Sequence, residues 1–270
     1  MRRPIQFVLA GRHPLLLAVR NHLILSGFEL TLEANIDPSR PVFAIFGAEA
    51  HTVKEVEGIH TDLRMARNPW PTILLSSSSV YGDRDYTLGL RPISTCDEAQ
   101  GHVITSPLDP GAIRPLTALT AEYLFAQREK TNTVVIRPFN VYGPEIAHGV
   151  IPKFLAAGLA GEPLQVHSPG RQLRTYLYLE DFLRAFDSLL VRLLNGGRGI
   201  YNVGSDETVE LLSLAKSVGH ALNKEVEIQL VANTERHAWW KLPALDRVKA
   251  DMRWRPTYTL RSGLFRMAGR

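Results

Sequence analysis

IQFVLAGRHPLLLAVRNHLILSGFELTL, residues 5–32, decides the fold of this 270-residue chain. Residues 5–10 form a short apolar run closed by Gly11, and residues 15–25 repeat apolar side chains at helical spacing as far as Ser26 and Gly27. Residues 28–32 then alternate into a second strand. A strand, a glycine, a helix and a strand in that order open a doubly wound α/β sheet. Working outward, residues 42–46, 72–75 and 133–136 are further apolar runs, with a helix predicted over 117–130. Such runs suit strands buried on both faces of a parallel sheet, whose ligands gather beyond the carboxyl ends. The polar clusters after the first, fourth and fifth runs therefore fall on one crevice rim.

Beyond Gly143 and Pro144 the texture changes. Helical patterns over 150–160, 179–194 and 211–222 alternate with short strands over 164–167 and 199–203. The expected division is a Rossmann-like domain over 1–145 and a smaller α/β lobe over 146–270, with segments of the lobe returning to the main sheet.

Composition narrows the function. The net charge of +4 suits an anionic ligand, but the basic residues are scattered, with no basic run or aromatic ribbon for nucleic acid. Cys96 stands alone, which excludes an internal disulfide and fits a reducing cytoplasm. The nine histidines show no ligand spacing, so no metal site is expected. Arg12, Arg20, Asn21 and His22 interrupt the apolar start, which predicts neither a signal peptide nor a membrane span.

Several stretches together resemble the extended short-chain dehydrogenase/reductases, the NAD-dependent epimerases and dehydratases of nucleotide-activated sugars. They are SSSSVYG at 76–82, IRPFNVYGP at 136–144, VIPKF at 150–154, GRQLRTYLYLED at 170–181, YNVGS at 201–205 and RWRP at 253–256. The match runs in order from about residue 5 to 266. It implies a Rossmann-type sheet with a sugar-nucleotide lobe, NAD(P) as cofactor, and a homodimer packed through helices near 47–67 and 114–130.

Against that family the cofactor half departs. The GxxGxxG turn reads GRHPLLL over 11–17, keeping Gly11 but placing Pro14 and Leu17 where two glycines are expected. Proline removes an N–H that a phosphate would use. Arg12 and His13 are read either as cationic compensation or as surface charge. Glu33 lies one residue before the position of the ribose-binding acid, Ala34, and a one-residue slip in a strand turns a side chain to the opposite face. Between Asn35 and Val42 a whole strand–helix unit is missing, so NAD(P) binding is expected to be lost or weakened.

The family's proton chemistry requires a Ser or Thr, and a Tyr followed four residues later by a Lys. Ser77 matches the first, Arg114 stands at the tyrosine position and Ala118 at the lysine position. No tyrosine in the chain has a lysine four residues on. Tyr81, Tyr86, Asp109 and Tyr123 are the residual acid–base candidates, each with a structural alternative. The sugar-nucleotide half is better kept. The resemblance implies ligand roles for Asn140, for the Val150–Pro152 backbone, for His167 beside the base, and for Arg174 at the diphosphate. Arg236, Trp239, Lys241 and Arg247 fall near the last ligand-contacting stretch, although Thr175 stands where many relatives carry Asp. Three readings follow: a sugar-nucleotide-binding pseudoenzyme, an enzyme of altered chemistry with or without NAD(P), or a non-catalytic partner that forms a heterodimer with an intact relative.

Overall fold

The computed structural model describes residues 5–82, 96–98, 112–128, 131–232 and 240–269. In chain order these form β1 (Gln6–Arg12), α1 (Leu16–Leu25), β2 (Glu29–Thr31), β3 (Val42–Ala48), α2 (Val53–Asp62), β4 (Thr72–Leu75), α3 (Ile113–Ala126) and β5 (Thr133–Pro138). There follow β6 (Val141–Tyr142), α4 (Val150–Ala160), β7 (Leu164–His167), β8 (Leu173–Thr175), β9 (Leu177–Tyr178), α5 (Leu179–Leu194) and β10 (Gly199–Val203). The chain closes with β11 (Thr208–Glu210), α6 (Leu211–Leu222), β12 (Ile228–Val231), β13 (Trp240–Lys241), α7 (Asp246–Met252) and α8 (Leu260–Met267). No described helix is long and apolar enough to cross a membrane.

Two compact units divide these elements. The first takes described residues up to 82, those from 112 to 138, and 185–201. Its six-stranded sheet has the order β10-β5-β4-β3-β1-β2, with parallel pairing from β2 through to β5. From β1 the chain moves outward to β2, then returns to build β3, β4 and β5 on the other side, so the switch point lies between β1 and β3. Ala44, Ile45, Phe46 and Ala48 of β3 are buried, and Phe46 meets Phe125 of α3 at 5.3 Å between ring centroids.

β2 is the sheet edge, as the missing strand–helix unit predicts. The crossing from β2 to β3 uses residues 32–41, with a single 3₁₀ turn at Glu33–Asn35. Buried Gln6 holds this short connection like a backbone partner, donating to the Asp37 carbonyl at 2.9 Å and accepting its N–H at 3.0 Å.

The second unit packs Ile151 and Phe154 of α4, Leu164 and Val166 of β7, Leu214 and Val218 of α6, and Leu260 and Leu264 of α8 into one core. Three small sheets frame it, ordered β11-β8-β13, β12-β7 and β6-β9. Asp181, fully buried in the first turn of α5, fixes the closing segment. It accepts the Thr257 N–H at 2.9 Å, the Tyr258 N–H at 2.8 Å and the Thr257 hydroxyl at 2.8 Å, besides pairing with Arg184.

Candidate functional site

The crevice of a doubly wound sheet lies beyond the carboxyl ends of the strands at the switch point, here β1 and β3. β1 does not turn at Gly11. It continues in register through Gly11 opposite Gly47 and Arg12 opposite Ala48. Gly11 has φ +76°, and a Cβ there would lie 2.1 Å from the Gly47 carbonyl oxygen, so these glycines let the two strand ends close on each other. Its N–H donates to Asp62 at 3.2 Å.

Arg12 is exposed, but reading His13 as surface charge is corrected by its side chain, which is only 2% exposed. The His13 Nδ1 accepts the N–H of Leu15, the residue just before α1, at 3.1 Å. Nε2 lies 2.9 Å from the Ser76 carbonyl oxygen and 3.2 Å from a Glu49 carboxylate oxygen. A backbone donor at Nδ1 makes Nε2 the protonated nitrogen of a neutral ring, donating to those two oxygens. Burial holds the imidazole below its ordinary pKa, against the opposing pull of Glu49. In a dinucleotide site the amino end of α1 would face the pyrophosphate; in this chain an imidazole takes its first donor.

Glu49, just past β3, is the centre of a cluster that the sequence reading did not find. Its side chain is 6% exposed, and Arg114 in the first turn of α3 reaches it with Nε at 2.9 Å and again with Nη2. His51 stands 3.7 Å away. Burial alone would raise the carboxyl pKa, but Arg114 and His13 outweigh it and hold it below the usual value. Arg114 is therefore committed through one edge to an internal carboxylate while its side chain stays 45% exposed.

Glu33 sits in the 3₁₀ turn after β2 and accepts from the Asn68 amide at 3.0 Å. With Val8, Leu9, Ala10, Leu32, Asp62 and Arg64 it lines a cleft beside β1. Ser77 caps the turn Ser78–Tyr81, its hydroxyl accepting the Ser79 N–H at 3.2 Å, and is buried. Two of the quoted motifs meet in a buried network next to it. Arg137 donates to Glu122 at 2.9 and 2.6 Å and to the Tyr81 hydroxyl at 2.9 Å, while Ser76 donates to the same carboxylate. Ala118, expected at the family's lysine position, is fully buried.

In the second unit β8 carries Arg174 between Val209 of β11 and Lys241 of β13, so the two cations are register neighbours on one face. Arg174 is half-buried, and its Nη1 donates to the Leu173 carbonyl at 2.8 Å. Asn140, at φ +41°, donates through its amide to the Thr175 carbonyl at 2.9 Å, tying it to the residue after Arg174. Buried Thr175 Oγ1 and Gln172 Oε1 make no hydrogen bond among the described residues. Tyr176 is pushed up to about 12 by burial, with Arg174 opposing. His167 ends β7 exposed, Pro152 lies half-buried in the first turn of α4, and Arg247 is exposed in α7. Tyr86, Asp109, Arg236 and Trp239 lie outside the described residues. Among the described residues no group of three or more His, Cys, Asp or Glu could hold a metal ion.

A parallel sheet wound outward in both directions from a switch point defines a Rossmann-type α/β protein. The NAD dependent epimerase/dehydratase family model matches residues 56–204, and the chain belongs to that family. It is 30% identical over 232 residues to UDP-glucuronic acid decarboxylase 3 of Arabidopsis thaliana, a match covering 84% of this chain and 65% of that protein. The chain thus spans less than two thirds of that relative. Its fold is similar to that of the dTDP-glucose 4,6-dehydratase of Bacillus anthracis in complex with NAD, with TM-score 0.76, 17% identity, and coverage of 99% of this chain and 96% of that one. The UDP-glucuronic acid 4-epimerase of Bacillus cereus, in complex with UDP-glucuronic acid and NAD, gives TM-score 0.72 at 17% identity, covering 97% of this chain and 96% of that one.

Proposed function

We propose that this chain binds a nucleotide-activated sugar but has given up the nicotinamide chemistry of its family, acting as a pseudoenzyme or as an enzyme of altered chemistry in carbohydrate or natural-product biosynthesis. The observation that carries the reading is the use of His13 on the amino end of α1, where a bound pyrophosphate would sit. The residues present do not fit that group. The Gly11 and Leu15 N–H groups are engaged within the chain, and Arg114 already faces Glu49, which leaves exposed Arg12 as the cation beside Gly11. The tyrosines at 142, 176, 178 and 258 are all shifted upward, chiefly by burial at the first three and by the Glu180 hydrogen bond at Tyr258. None of these four is prepared as a tyrosinate.

The second half supports ligand binding. Arg174 and Lys241 adjoin on one sheet face, which suits the oxygens of a diphosphate, and Asn140 braces the segment after Arg174. The curated relative named above makes UDP-glucuronic acid the first ligand to try. At about 100 times its Kd, a ligand that binds only the folded chain adds roughly 2.7 kcal/mol to stability, a shift readable in a thermal scan. Arg174→Ala should abolish most of it. No shift with any sugar nucleotide would end the reading.

Two rival readings remain open to test. An active NAD(P)-dependent enzyme with atypical residues is favoured by the Glu33–Asp62 cleft beside β1, and stoichiometric NAD released on denaturing the purified protein would establish it. A homodimer, or a heterodimer with an intact relative, is favoured by Leu116, Tyr123 and Leu124, all exposed on α3. Light scattering and co-purification would decide between one copy, two copies and a mixed pair.

A further inference from the structure

We propose that His13 is a proton-operated latch. With the ring neutral, it closes the amino end of α1 and ties the carboxyl ends of β1, β3 and β4 together; protonated, it lets the first turn of α1 go. Three contacts define the closed state, namely the Leu15 N–H on Nδ1 at 3.1 Å, the Ser76 carbonyl at 2.9 Å from Nε2 and the Glu49 carboxylate at 3.2 Å from Nε2.

The chemistry is asymmetric. A proton added to the ring must go to Nδ1, where a backbone N–H already points, so one donor then faces another and the cap is lost. The Nε2 contacts survive and strengthen toward Glu49. The surroundings divide accordingly. Glu49 from the end of β3 favours the imidazolium, while Arg114 from α3 and His51 from the segment before α2 oppose it, and burial opposes it most. From α2, Asp62 reaches the backbone N–H of Gly11. The side chain is 2% exposed, so water cannot take over the lost cap without movement of the turn. Acidification thus acts on one defined place, the start of α1, and does so without any ligand.

The test uses the intact chain labelled with ¹⁵N. Long-range ¹H–¹⁵N spectra should assign the proton to Nε2 of His13 at pH 7.5. Once the intrinsic pH dependence of exchange is removed, the protection of the Leu15 amide should fall by up to about tenfold per pH unit as pH drops from the ordinary imidazole pKa toward the depressed His13 midpoint, and level off below it, as expected when a single proton opens the latch. Amides of β7 and α6 should keep theirs. A proton on Nδ1 at neutral pH, or Leu15 protection that stays constant through the His13 titration, would overturn the proposal. His13→Gln supplies the second arm. Its Leu15 protection should be insensitive to pH between 7.5 and 5.5, and the persistence there of the wild-type pH profile would count equally against the latch.

Discussion

Replacing Arg137 with leucine tests whether the two family motifs that meet in the first unit are there to fold the sheet or to bind a ligand. Arg137 is 1% exposed, with Nε and Nη2 on the Glu122 carboxylate at 2.9 and 2.6 Å, Nη1 on the Tyr81 hydroxyl at 2.9 Å, and its guanidinium 5.1 Å from the Tyr81 ring centroid. Leucine strips three donors and leaves Glu122, itself only 7% exposed, with the Ser76 hydroxyl still donating to it. Orphaning one member of a buried ion pair costs about 3–5 kcal/mol. In a chain of this size that is a fall in unfolding midpoint of roughly 10 °C. Arg137→Leu combined with Glu122→Leu removes the stranded charge and should recover most of the loss. The assay is urea denaturation of both variants at neutral pH. A deficit below about 1 kcal/mol, or a double variant no better than the single one, would refute a structural ion pair worth that much.

Three further outcomes follow from the same structure. His13 has its folded pKa depressed below the unfolded value, so the stability it supplies is complete above the ordinary imidazole pKa and is lost as pH falls through it; Glu49, also depressed, extends the loss at lower pH. The unfolding midpoint should accordingly decline from pH 7.5 to 5.5, and a flat profile would contradict the burial of a neutral ring. Gly11→Ala places a methyl 2.1 Å from the Gly47 carbonyl oxygen at φ +76°, for a cost of about 2–4 kcal/mol from strain and overpacking together; an unchanged midpoint would mean the strand ends are not so close. Asp181→Asn can keep one oxygen for the Thr257 and Tyr258 N–H groups, which share Oδ2, but turns Oδ1, the acceptor of the Thr257 hydroxyl and partner of Arg184, into a donor, which should cost about 1–3 kcal/mol. Limited proteolysis would show it first as cleavage near residues 255–259.

Much of this architecture is legible in the sequence because buried strands and amphipathic helices announce themselves locally. The apolar run Thr72–Leu75, the helices Val150–Ala160, Leu179–Leu194 and Leu211–Leu222, and the strands Leu164–His167 and Gly199–Val203 have the bounds that their patterns predict. The short strands β6, β8, β9, β11, β12 and β13 escape, since two to four residues carry too little periodicity to rise above the surrounding loop. β1 outruns its apolar stretch through Arg12 because the Gly11–Gly47 approach, a property of two strands, allows pairing to continue.

The candidate site divides along the same line, between information held in a window and information held between distant residues. Arg114 is conspicuous at a family position, yet its partner lies 65 residues away, and no spacing rule connects them. A local signal does exist. Glu49 is a lone carboxylate inside VFAIFGAEA at 42–50, a stretch otherwise bound for the interior. A charge committed to burial requires a partner of opposite sign or a set of donors, and the cations able to supply them must come from neighbouring strand ends or from the helix that packs there. That condition points to His13 and Arg114 together, the first as a buried neutral donor and the second as a half-exposed cation with one edge turned inward. The same test applied to Glu122 points to Arg137. In this chain the charged residues inside apolar runs mark where buried pairs form, Glu49 with Arg114 and His13 and Glu122 with Arg137, which is why those pairs are better read from misplaced acids than from any spacing rule.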